Sequence, residues 1–514
     1  MHHPNSQSLP AATGIAAAVC LALYGVPLAA LADEPGAVSG TLEEIVVTAN
    51  RRQQTREAVP YSISVVSADQ IAASGATDIA TLATQVPGLS MYDYGARFAG
   101  ATAPIIRGIN ATGSPARGFR TFEQDPVGTY VGNSPIDGYF LLDDVARVEV
   151  LRGPQGTLYG AGALGGALRL IPNSPELGKT AGSIEASGSR SAHSEGTGYS
   201  VKGMVNLPMG DTAAFRLAAK YEYEPGWIKV FGLLKRSNDG LYGVPLLANP
   251  ADPVDSPPIY GARNDWNDQK TFSGRASLLW KPGDRFNVEL AFLHANVTGN
   301  GGPQVNPDFA GGLSPFDPTT TYPAGGHYQE FALVEEPFDR HTNLASLDVS
   351  YDAGFATVSS TASYHETSGA LIQDSTFNYA GFAGGGYLPY YGGIPVNPRF
   401  IYPFQFTDSS HAFTEELRLV SKAGPANTFD YVIGAFYERQ TRHGNWFVAN
   451  AGSPERSIAQ GCTGYVGTLP RLDAATTTRV APSPAVGGAA GTGGAPPASK
   501  GNDGVAQASL PLTP

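Results

Sequence analysis

The feature that most constrains the fold is a two-residue alternation of apolar and polar side chains. It is clearest in Ala213–Glu224 (AAFRLAAKYEYE). The apolar positions are Phe215, Leu217, Ala219, Tyr221 and Tyr223, and the charged positions are Arg216, Lys220, Glu222 and Glu224. Successive side chains of a strand point to opposite faces, so this segment has the pattern of a membrane strand with one lipid-facing side and one lumen-facing side.

The alternation recurs further along the chain. In residues 271–280, Phe272, Ala276, Leu278 and Trp280 alternate with Thr271, Ser273, Arg275 and Ser277. In residues 286–294, Phe286, Val288, Leu290 and Phe292 alternate with Asn287 and Glu289. Thr414–Ser421 (TEELRLVS) fits less well, because Glu415 falls on the face of the leucines.

The connections between these segments alternate between short and long. The short ones lie at residues 207–211, 281–284, 352–354 and 422–427, and the long ones lie near residues 225–270, 296–341 and 367–410. Short periplasmic turns and longer extracellular loops give this alternation in outer-membrane barrels. A soluble β-sandwich, the alternative, would have no reason to turn an aromatic face toward solvent. We therefore predict an antiparallel transmembrane β-barrel over residues 176–450.

The predicted barrel is incomplete. We count about nine strands, from near residues 182–190 to near residues 428–440, whereas outer-membrane transporters close with about 22 and bacterial barrels have an even number. Residues 451–514 are rich in Gly, Ala and Pro, which predicts a loop-like tail. We expect a partial barrel, from a fragment, a truncated gene product or part of a longer sequence.

The N-terminal sequence and the composition limit the location and the partners that the protein can have. Ile15–Leu31 is an apolar segment, and Ala30–Ala32 (ALA) precedes Asp33, so we expect residues 1–32 to be a signal peptide. The formal net charge of −12 argues against a nucleic-acid partner. The two cysteines, Cys20 and Cys462, predict no disulfide framework.

An α/β region lies between the signal peptide and the predicted barrel. We predict strands over residues 61–67, 103–110 and 145–153, and helices over residues 68–75 and 77–88. Gly160, Gly162 and Gly165 then spell G-x-G-x-x-G. A dinucleotide site needs a helix directly after these glycines, but the β-like ALRLIPNSP follows them. We interpret them as a tight strand–turn–strand whose backbone lies against a neighbour.

Several motifs in this region carry a resemblance to a known family. They are EEIVVTA, VPYSISVVSADQI, ATDIATLATQVPGLSM, IIRGI and DDVARVEVLRGPQGTLYGAGALGGALRLI, in that order from Glu43 to Pro175. Together they resemble the TonB box and plug domain of TonB-dependent outer-membrane receptors. The resemblance implies a TonB box at residues 43–50, an α/β plug domain at residues 51–175 and a barrel of the outer membrane around that plug.

The resemblance also implies roles for particular residues. The TonB-binding residues would be Glu44, Ile45, Val46, Val47, Thr48 and Ala49. Strand propensity alone leaves this segment open between an ordinary first strand and a strand that adds to a partner's sheet. The plug-motif residues are Arg107, Gly108, Glu149, Arg152 and Gly153. Glu149 is a candidate ion-pair partner of charges in the lumen, and structural pairing without a transport role is the alternative.

The ligand is the least constrained part of the prediction. Phe377–Gly393 resembles an extracellular loop, and its aromatic side chains could stack on a planar ligand or lie in the interfacial aromatic belt. The candidates are Tyr379, Phe382, Tyr387, Tyr390 and Tyr391. We expect no cofactor, no metal site and no enzymatic activity, because neither metal-ligand spacing nor a nucleophile–base pair stands out.

The predicted function follows from the resemblance. It is TonB-energised uptake of a bulky solute, a ferric siderophore, with TonB, the solute and outer-membrane lipid as partners. Two alternatives stay open. One is a truncated surface receptor that binds without transport, and the other is the same fold importing a carbohydrate, cobalamin or another nutrient.

Overall fold

The structure is a computed structural model, and it describes most of the chain between Val46 and Val448. The described residues are 46–47, 54–55, 62–76, 78–92, 103–109, 126–136, 142–159, 162–236, 246–251, 259–302, 305, 313–314, 317–321, 327–374, 403–422, 431–448 and 507–509. The predicted signal peptide therefore lies outside the described residues, as does most of the predicted tail.

The first part of the described chain forms a small α/β unit. Its strands are β1 (Val46–Val47), β2 (Gln54–Thr55), β3 (Ile63–Ser67), β4 (Leu89–Tyr92), β5 (Ala103–Ile106), β6 (Val127–Val131), β7 (Ser134–Pro135), β8 (Val145–Arg152) and β9 (Gly166–Pro172). Its helices are α1 (Ala68–Ser74), α2 (Ile79–Ala83) and α3 (Gly156–Tyr159). Five strands form one sheet in the order β3-β8-β9-β6-β7, and β4 pairs with β5.

Local signals in the sequence set the ends of these elements. Helix α1 begins with a capping box between Ser67 and Gln70 and ends at Gly75, whose φ of 67° is left-handed. Helix α2 is shorter than the predicted residues 77–88 and ends at Ala83, four residues before Pro87. Strand β5 ends at Ile106, earlier than predicted, because Arg107 and Gly108 both take positive φ.

One face of the five-stranded sheet buries a continuous hydrophobic core. Val148 and Val150 of β8 and Leu168 of β9 are fully buried, and they pack with Ile71 of α1 and Leu82 of α2. Burying side chains of this size contributes about 1.5–3 kcal/mol each. The predicted strands and helices of this region are confirmed in type and order, so local pattern alone specified its framework.

The glycine motif lies between β8 and β9, and β9 rather than a helix follows it. Gly166 has a φ of 149°, and a Cβ atom there would lie 2.1 Å from the backbone oxygen of Leu151. The interpretation of this stretch as backbone pressed against a neighbour is therefore correct. Two strands come together here at a distance that only glycine allows.

The second part of the described chain is dominated by one large antiparallel sheet. The strands of this part include those of the large sheet and the shorter ones within the long connections. They are β10 (Ala181–Ser189), β11 (Gly198–Met209), β12 (Ala213–Glu224), β13 (Lys229–Leu234), β14 (Tyr260–Arg263), β15 (Gln269–Gly283), β16 (Phe286–Asn300), β17 (Leu313–Ser314), β18 (Asp317–Thr321), β19 (Gln329–Phe331), β20 (Pro337–Asp352), β21 (Ala356–Asp374), β22 (Pro403–Ser421), β23 (Val432–Val448) and β24 (Gln507–Ser509). The large sheet runs β10-β11-β12-β15-β16-β20-β21-β22-β23-β24.

In this sheet apolar side chains are exposed and polar side chains are buried, which is the reverse of the pattern in a soluble protein. Leu217 and Trp280 are exposed by 43% and 47%, whereas Arg216 on β12 and Ser277 on β15 are exposed by only 6% and 2%. The predicted faces of residues 213–224, 271–280 and 286–294 are confirmed. Apolar side chains turned outward and charged ones turned inward are what a lipid environment selects.

Three of the four predicted short connections are confirmed, and the fourth, at residues 422–427, lies almost entirely outside the described residues. Strands β11–β12, β15–β16 and β20–β21 join through turns of two or three residues. The long connections contain structure that the sequence analysis treated as loop. Strand β13 pairs with β14 and β19, and these loops bury Trp266 with Ile228 and Val230 in a core of their own.

The large sheet is open among the residues that the structure describes. Strands β10 and β24 stand at its two ends, and no described strand joins them. Within the predicted loop-like tail, Gln507–Ser509 pairs with Gly434–Phe436 of β23, and the other residues of the tail lie outside the described residues. No helix in the described part of the chain has the length and hydropathy to cross a membrane.

We predict that Gly166→Ala destabilises the small α/β unit by about 3 kcal/mol, the cost of a strained backbone plus an overpacked contact. Gly156→Ala is the matched control, because nothing lies within 4 Å of its added Cβ. Pulse proteolysis of the purified protein across a urea series measures both. Equal urea midpoints for the two variants would contradict the close contact at Gly166.

Candidate functional site

The strongest contact between the α/β unit and the large sheet is an ion pair. The Arg216 guanidinium on β12 donates from Nε to Oδ2 of Asp144 over 2.9 Å and from a terminal nitrogen to Oδ1 over 2.5 Å. Both side chains are more than nine-tenths buried. A buried two-bond pair of this kind is both strong and directional, so it fixes the start of β8 against the sheet.

Asp143 makes a second contact next to the first. The Ser273 hydroxyl on β15 donates to Oδ2 of Asp143 over 2.7 Å, and Nζ of Lys220 lies 3.8 Å from Oδ1. Burial raises the pKa of the Asp143 carboxyl above its ordinary value, and the charge of Lys220 opposes that rise. Two neighbouring acidic residues thus contact two neighbouring strands of the sheet.

Further polar contacts extend this attachment along the sheet. Arg275 on β15 donates to the backbone oxygen of Asn173 over 2.8 Å and to Glu289 over 2.9 Å. Ser174 donates to the other oxygen of Glu289 over 2.8 Å. On the next strand, the Asn133 amide donates to Asp348 of β20 over 2.9 Å. The α/β unit is therefore bonded to β12, β15, β16 and β20.

Glu149 forms ion pairs inside the small sheet. Its carboxylate accepts from Nε of Arg147 over 2.8 Å and from Arg169 over 2.7 Å. Glu149 is fully buried, and both arginines belong to the same small sheet. These contacts agree with the structural pairing that the sequence left open as the alternative, and a pairing of Glu149 with charges of the lumen stays a prediction. Position 149 faces β9 across the register Glu149–Arg169, so its pairing stabilises the small sheet itself.

Arg107 and Arg152 lie near each other. Arg152 donates to the hydroxyls of Ser62 and Ser64 over 3.0 Å and 2.5 Å. Burial lowers the pKa of the Arg152 guanidinium, and the nearby charge of Arg107 lowers it further. Gly108 and Gly153, which follow the two arginines, both take positive φ and end their strands. These contacts define a structural role, and the wider role of the motif stays a prediction.

Only part of the predicted TonB box lies in the described residues. Val46 and Val47 form β1, which pairs antiparallel with Gln54 and Thr55. Residues Glu44, Ile45, Thr48 and Ala49 lie outside the described residues, as do the predicted ligand-binding residues Tyr379, Phe382, Tyr387, Tyr390 and Tyr391. Both sets of roles stay predictions.

The residues that attach the α/β unit to the sheet were not predicted from the sequence as contacts. Asp143 and Asp144 open the DDVARVEVLRG motif, but only later residues of that motif were selected. Arg216, Lys220 and Arg275 were recognised as a polar strand face without a partner. A useful signal was available, since cations on a buried face require anions opposite them.

In its described residues, the site holds no group of three or more His, Cys, Asp or Glu side chains arranged to bind a metal ion. Its chemistry is that of ion pairs and hydrogen bonds between two bodies. Such an arrangement attaches the α/β unit to the polar face of the large sheet.

The α/β unit matches a known family model. Residues 55–167 match the TonB-dependent Receptor Plug Domain. Residues 55–167 are a plug domain of the TonB-dependent receptors. The α/β unit is therefore the plug of the receptor, the large sheet belongs to its barrel, and the receptor is a protein of the Gram-negative outer membrane.

Curated relatives and solved structures agree with this assignment. The vitamin B12 transporter BtuB of Vibrio vulnificus is 28% identical over 252 residues, which are 47% of this chain and 35% of that protein. The pesticin receptor of Yersinia pestis is 30% identical over 159 residues, which are 30% of this chain and 22% of that protein. The matched region is thus well under two thirds of either relative.

Solved structures share the fold at low identity. The ferric yersiniabactin uptake receptor FyuA from Yersinia pestis aligns with a TM-score of 0.52 at 18% identity, over 76% of this chain and 50% of that one. The siderophore receptor PiuA from Acinetobacter baumannii aligns with a TM-score of 0.51 at 15% identity, over 79% and 50%. These values establish a common arrangement of plug and sheet.

We predict that Asp144→Asn loosens the plug, costing about 3 kcal/mol, because it leaves the buried Arg216 charge without its counter-ion. Asparagine tolerates the φ of 53° at this position, so the effect is one of charge. Asp143→Asn is the control and should change stability by less than about 1 kcal/mol, since a neutral amide still accepts from Ser273. Protease sensitivity of the plug in outer-membrane vesicles measures both, and equal sensitivity would contradict the assignment.

Proposed function

We propose that this receptor takes up a bulky solute across the outer membrane, and that TonB supplies the energy. The observation that carries the proposal is the plug attached to the polar face of the sheet through Asp144 and Arg216. A plug held by buried ion pairs closes the passive route, so the solute passes only when the plug leaves these contacts. The outer membrane has no nucleotide supply, and the force must therefore come from the inner membrane.

We propose that Glu44, Ile45, Val46, Val47, Thr48 and Ala49 form the TonB-binding segment. A short extended segment before a folded domain can add as a strand to the sheet edge of a partner. Val46 and Val47 are already in a strand conformation, and their pairing with Gln54 and Thr55 leaves one edge of β1 for another strand. Force applied there is transmitted through the backbone to β3 of the plug.

We propose a ferric siderophore as the solute. Support comes from the likeness to receptors described for ferric yersiniabactin and for siderophores. Cobalamin is the second candidate, favoured by the 252-residue match to a vitamin B12 transporter. The aromatic residues Tyr379, Phe382, Tyr387, Tyr390 and Tyr391 are the proposed ligand contacts in either case.

The alternative, from a different functional class, is a surface receptor that binds its solute without transporting it. Its support is the open sheet among the described residues, because unpaired strand edges in lipid leave backbone groups unsatisfied. Catalysis forms no part of the proposal. Uptake of radiolabelled ferric yersiniabactin and cyanocobalamin by cells that express the full chain and lack their own receptors separates the candidates. Binding of either without uptake favours the surface receptor.

We predict that Val47→Pro lowers solute uptake at least about tenfold and leaves solute binding unchanged, because proline removes a backbone donor needed for strand addition. Gln54→Pro is the matched control, since it disrupts the β1–β2 pair but leaves the box intact. Uptake and binding are measured on the same cells. Wild-type uptake by Val47→Pro would contradict TonB binding at this segment.

A further inference from the structure

The outer face of the large sheet becomes polar toward the long connections of β20–β23. The register of these strands places their outward side chains in rows across the sheet, and the last row with aromatic side chains holds Tyr364 and Phe413. The alternate residues, such as Arg340 and Thr414, are buried on the inner face. The next three outward rows are polar apart from one alanine, and they are Asn343, Glu366, His411 and Thr441, then His341, Ser368, Ser409 and His443, and then Asp339, Ala370 and Thr407. We call these residues the outer polar panel.

The position of the outer polar panel along β22 places it at the height of the lipid headgroups. Leu419 is the first outward apolar residue of β22 on the side of its connection to β23, and Ser409 lies ten residues away from it. At about 3.3 Å per residue and a tilt of about 40°, this distance corresponds to a rise of about 25 Å, which is the height of the apolar band of an outer-membrane barrel. The row of Glu366 therefore lies at the edge of this band, and the two rows beyond it face lipid headgroups.

Within the panel lies a groove of about 260 Å³. Small residues form its floor, and they are Ser368, Gly369, Ala370, Thr407 and Ser409. Asp339 of β20 and His443 of β23 border the groove from opposite sides. These two strands are three strand spacings apart, about 14 Å, which leaves room for a sugar ring between the two side chains. Asp408 also borders the groove, and its carboxylate pairs with Arg340 on the inner face.

The charged groups of the panel favour a sugar over a phosphate group as the occupant of the groove. Asp339 and Glu366 present carboxylates, which accept hydrogen bonds from hydroxyl groups and repel a phosphate. Nε2 of His341 lies 3.3 Å from Oδ2 of Asp339 and helps to orient that carboxylate. The hydroxyls on the floor both donate and accept, and His443 adds a ring nitrogen at the rim. Arg439 lies one row nearer the middle of the membrane and offers a separate position for an anionic group.

We propose that this groove binds a core sugar of the lipopolysaccharide that surrounds the protein in the outer leaflet. The groove lies on the outward face of the sheet, and it is continuous with the apolar surface that contacts lipid. The core sugars begin directly above the acylated and phosphorylated end of lipopolysaccharide, so they lie at the height of the two upper rows of the panel. A sugar in the groove exchanges hydrogen bonds with Ser368, Thr407 and Ser409 and donates to Asp339. The proposal goes beyond the proposed function and does not depend on it.

Native mass spectrometry of the full chain in nanodiscs that contain lipopolysaccharide with its core sugars tests the groove. We expect the unaltered chain to retain lipopolysaccharide. Ala370→Phe should lower retention at least about tenfold because its ring fills the groove, and Asp339→Ala should lower it to a similar extent because it removes a charged acceptor. Ala345→Phe is the matched control, because Ala345 is an exposed outward alanine opposite Tyr364, below the panel. No retention by the unaltered chain, or equal retention by the two phenylalanine variants, would overturn the proposal.

A second measurement separates the core sugars from the phosphate groups of the same lipid. The unaltered chain is placed in nanodiscs with equal amounts of lipopolysaccharide and of lipid A, which carries phosphates and acyl chains but no core sugars. We expect at least about tenfold preference for the lipid with core sugars. Equal retention of the two lipids would overturn the proposal. It would also be overturned if Arg439→Ala abolished retention and Ala370→Phe left it unchanged, which would assign the lipid to a phosphate contact at Arg439.

Discussion

The structure depends on one constraint, which is that the large sheet buries its charged face. In lipid the outer face must be apolar, so Arg216, Lys220 and Arg275 turn inward, where water is limited. Cations in such a place need anions and hydrogen-bond acceptors. The plug supplies them through Asp143, Asp144 and the backbone of Asn173. The plug thus supplies the charges that the inward face of the large sheet requires, and it also fills the space next to that face.

The same constraint explains why the two parts of the receptor differ in their chemistry. The plug is an ordinary α/β unit with an apolar core, and its own buried charges, Glu149 and Arg169, are paired internally. Its hydrogen bonds and ion pairs with the large sheet are joined by a small apolar contact, in which Leu344 of β20 and Leu293 of β16 pack against the core of the plug. Polar groups that separate can be hydrated by water, which offsets much of the energy of the broken hydrogen bonds. A largely polar attachment therefore agrees with the proposal that the plug leaves these contacts during uptake.

Much of the fold could be predicted from the sequence, because the signals that determine it are local. The alternation in Ala213–Glu224 determined the two faces of β12, and Ser67 with Gly75 determined the ends of α1. Three features were beyond local signals. The pairing of Glu149 with Arg169, the contact of Asp144 with Arg216 and the core around Trp266 all join residues far apart in the chain. These three features depend on strand register and on charge complementarity between segments that lie far apart in the chain.

The most direct test of the account asks whether the plug must leave Arg216 for solute to pass. Asp144→Cys with Arg216→Cys, in a chain carrying Cys462→Ser, is joined in cells by a short cleavable thiol cross-linker, and uptake of a radiolabelled ferric siderophore is followed. The account predicts that the joined protein binds the siderophore without taking it up, and that cleaving the linker restores uptake. Undiminished uptake by the joined protein would contradict it.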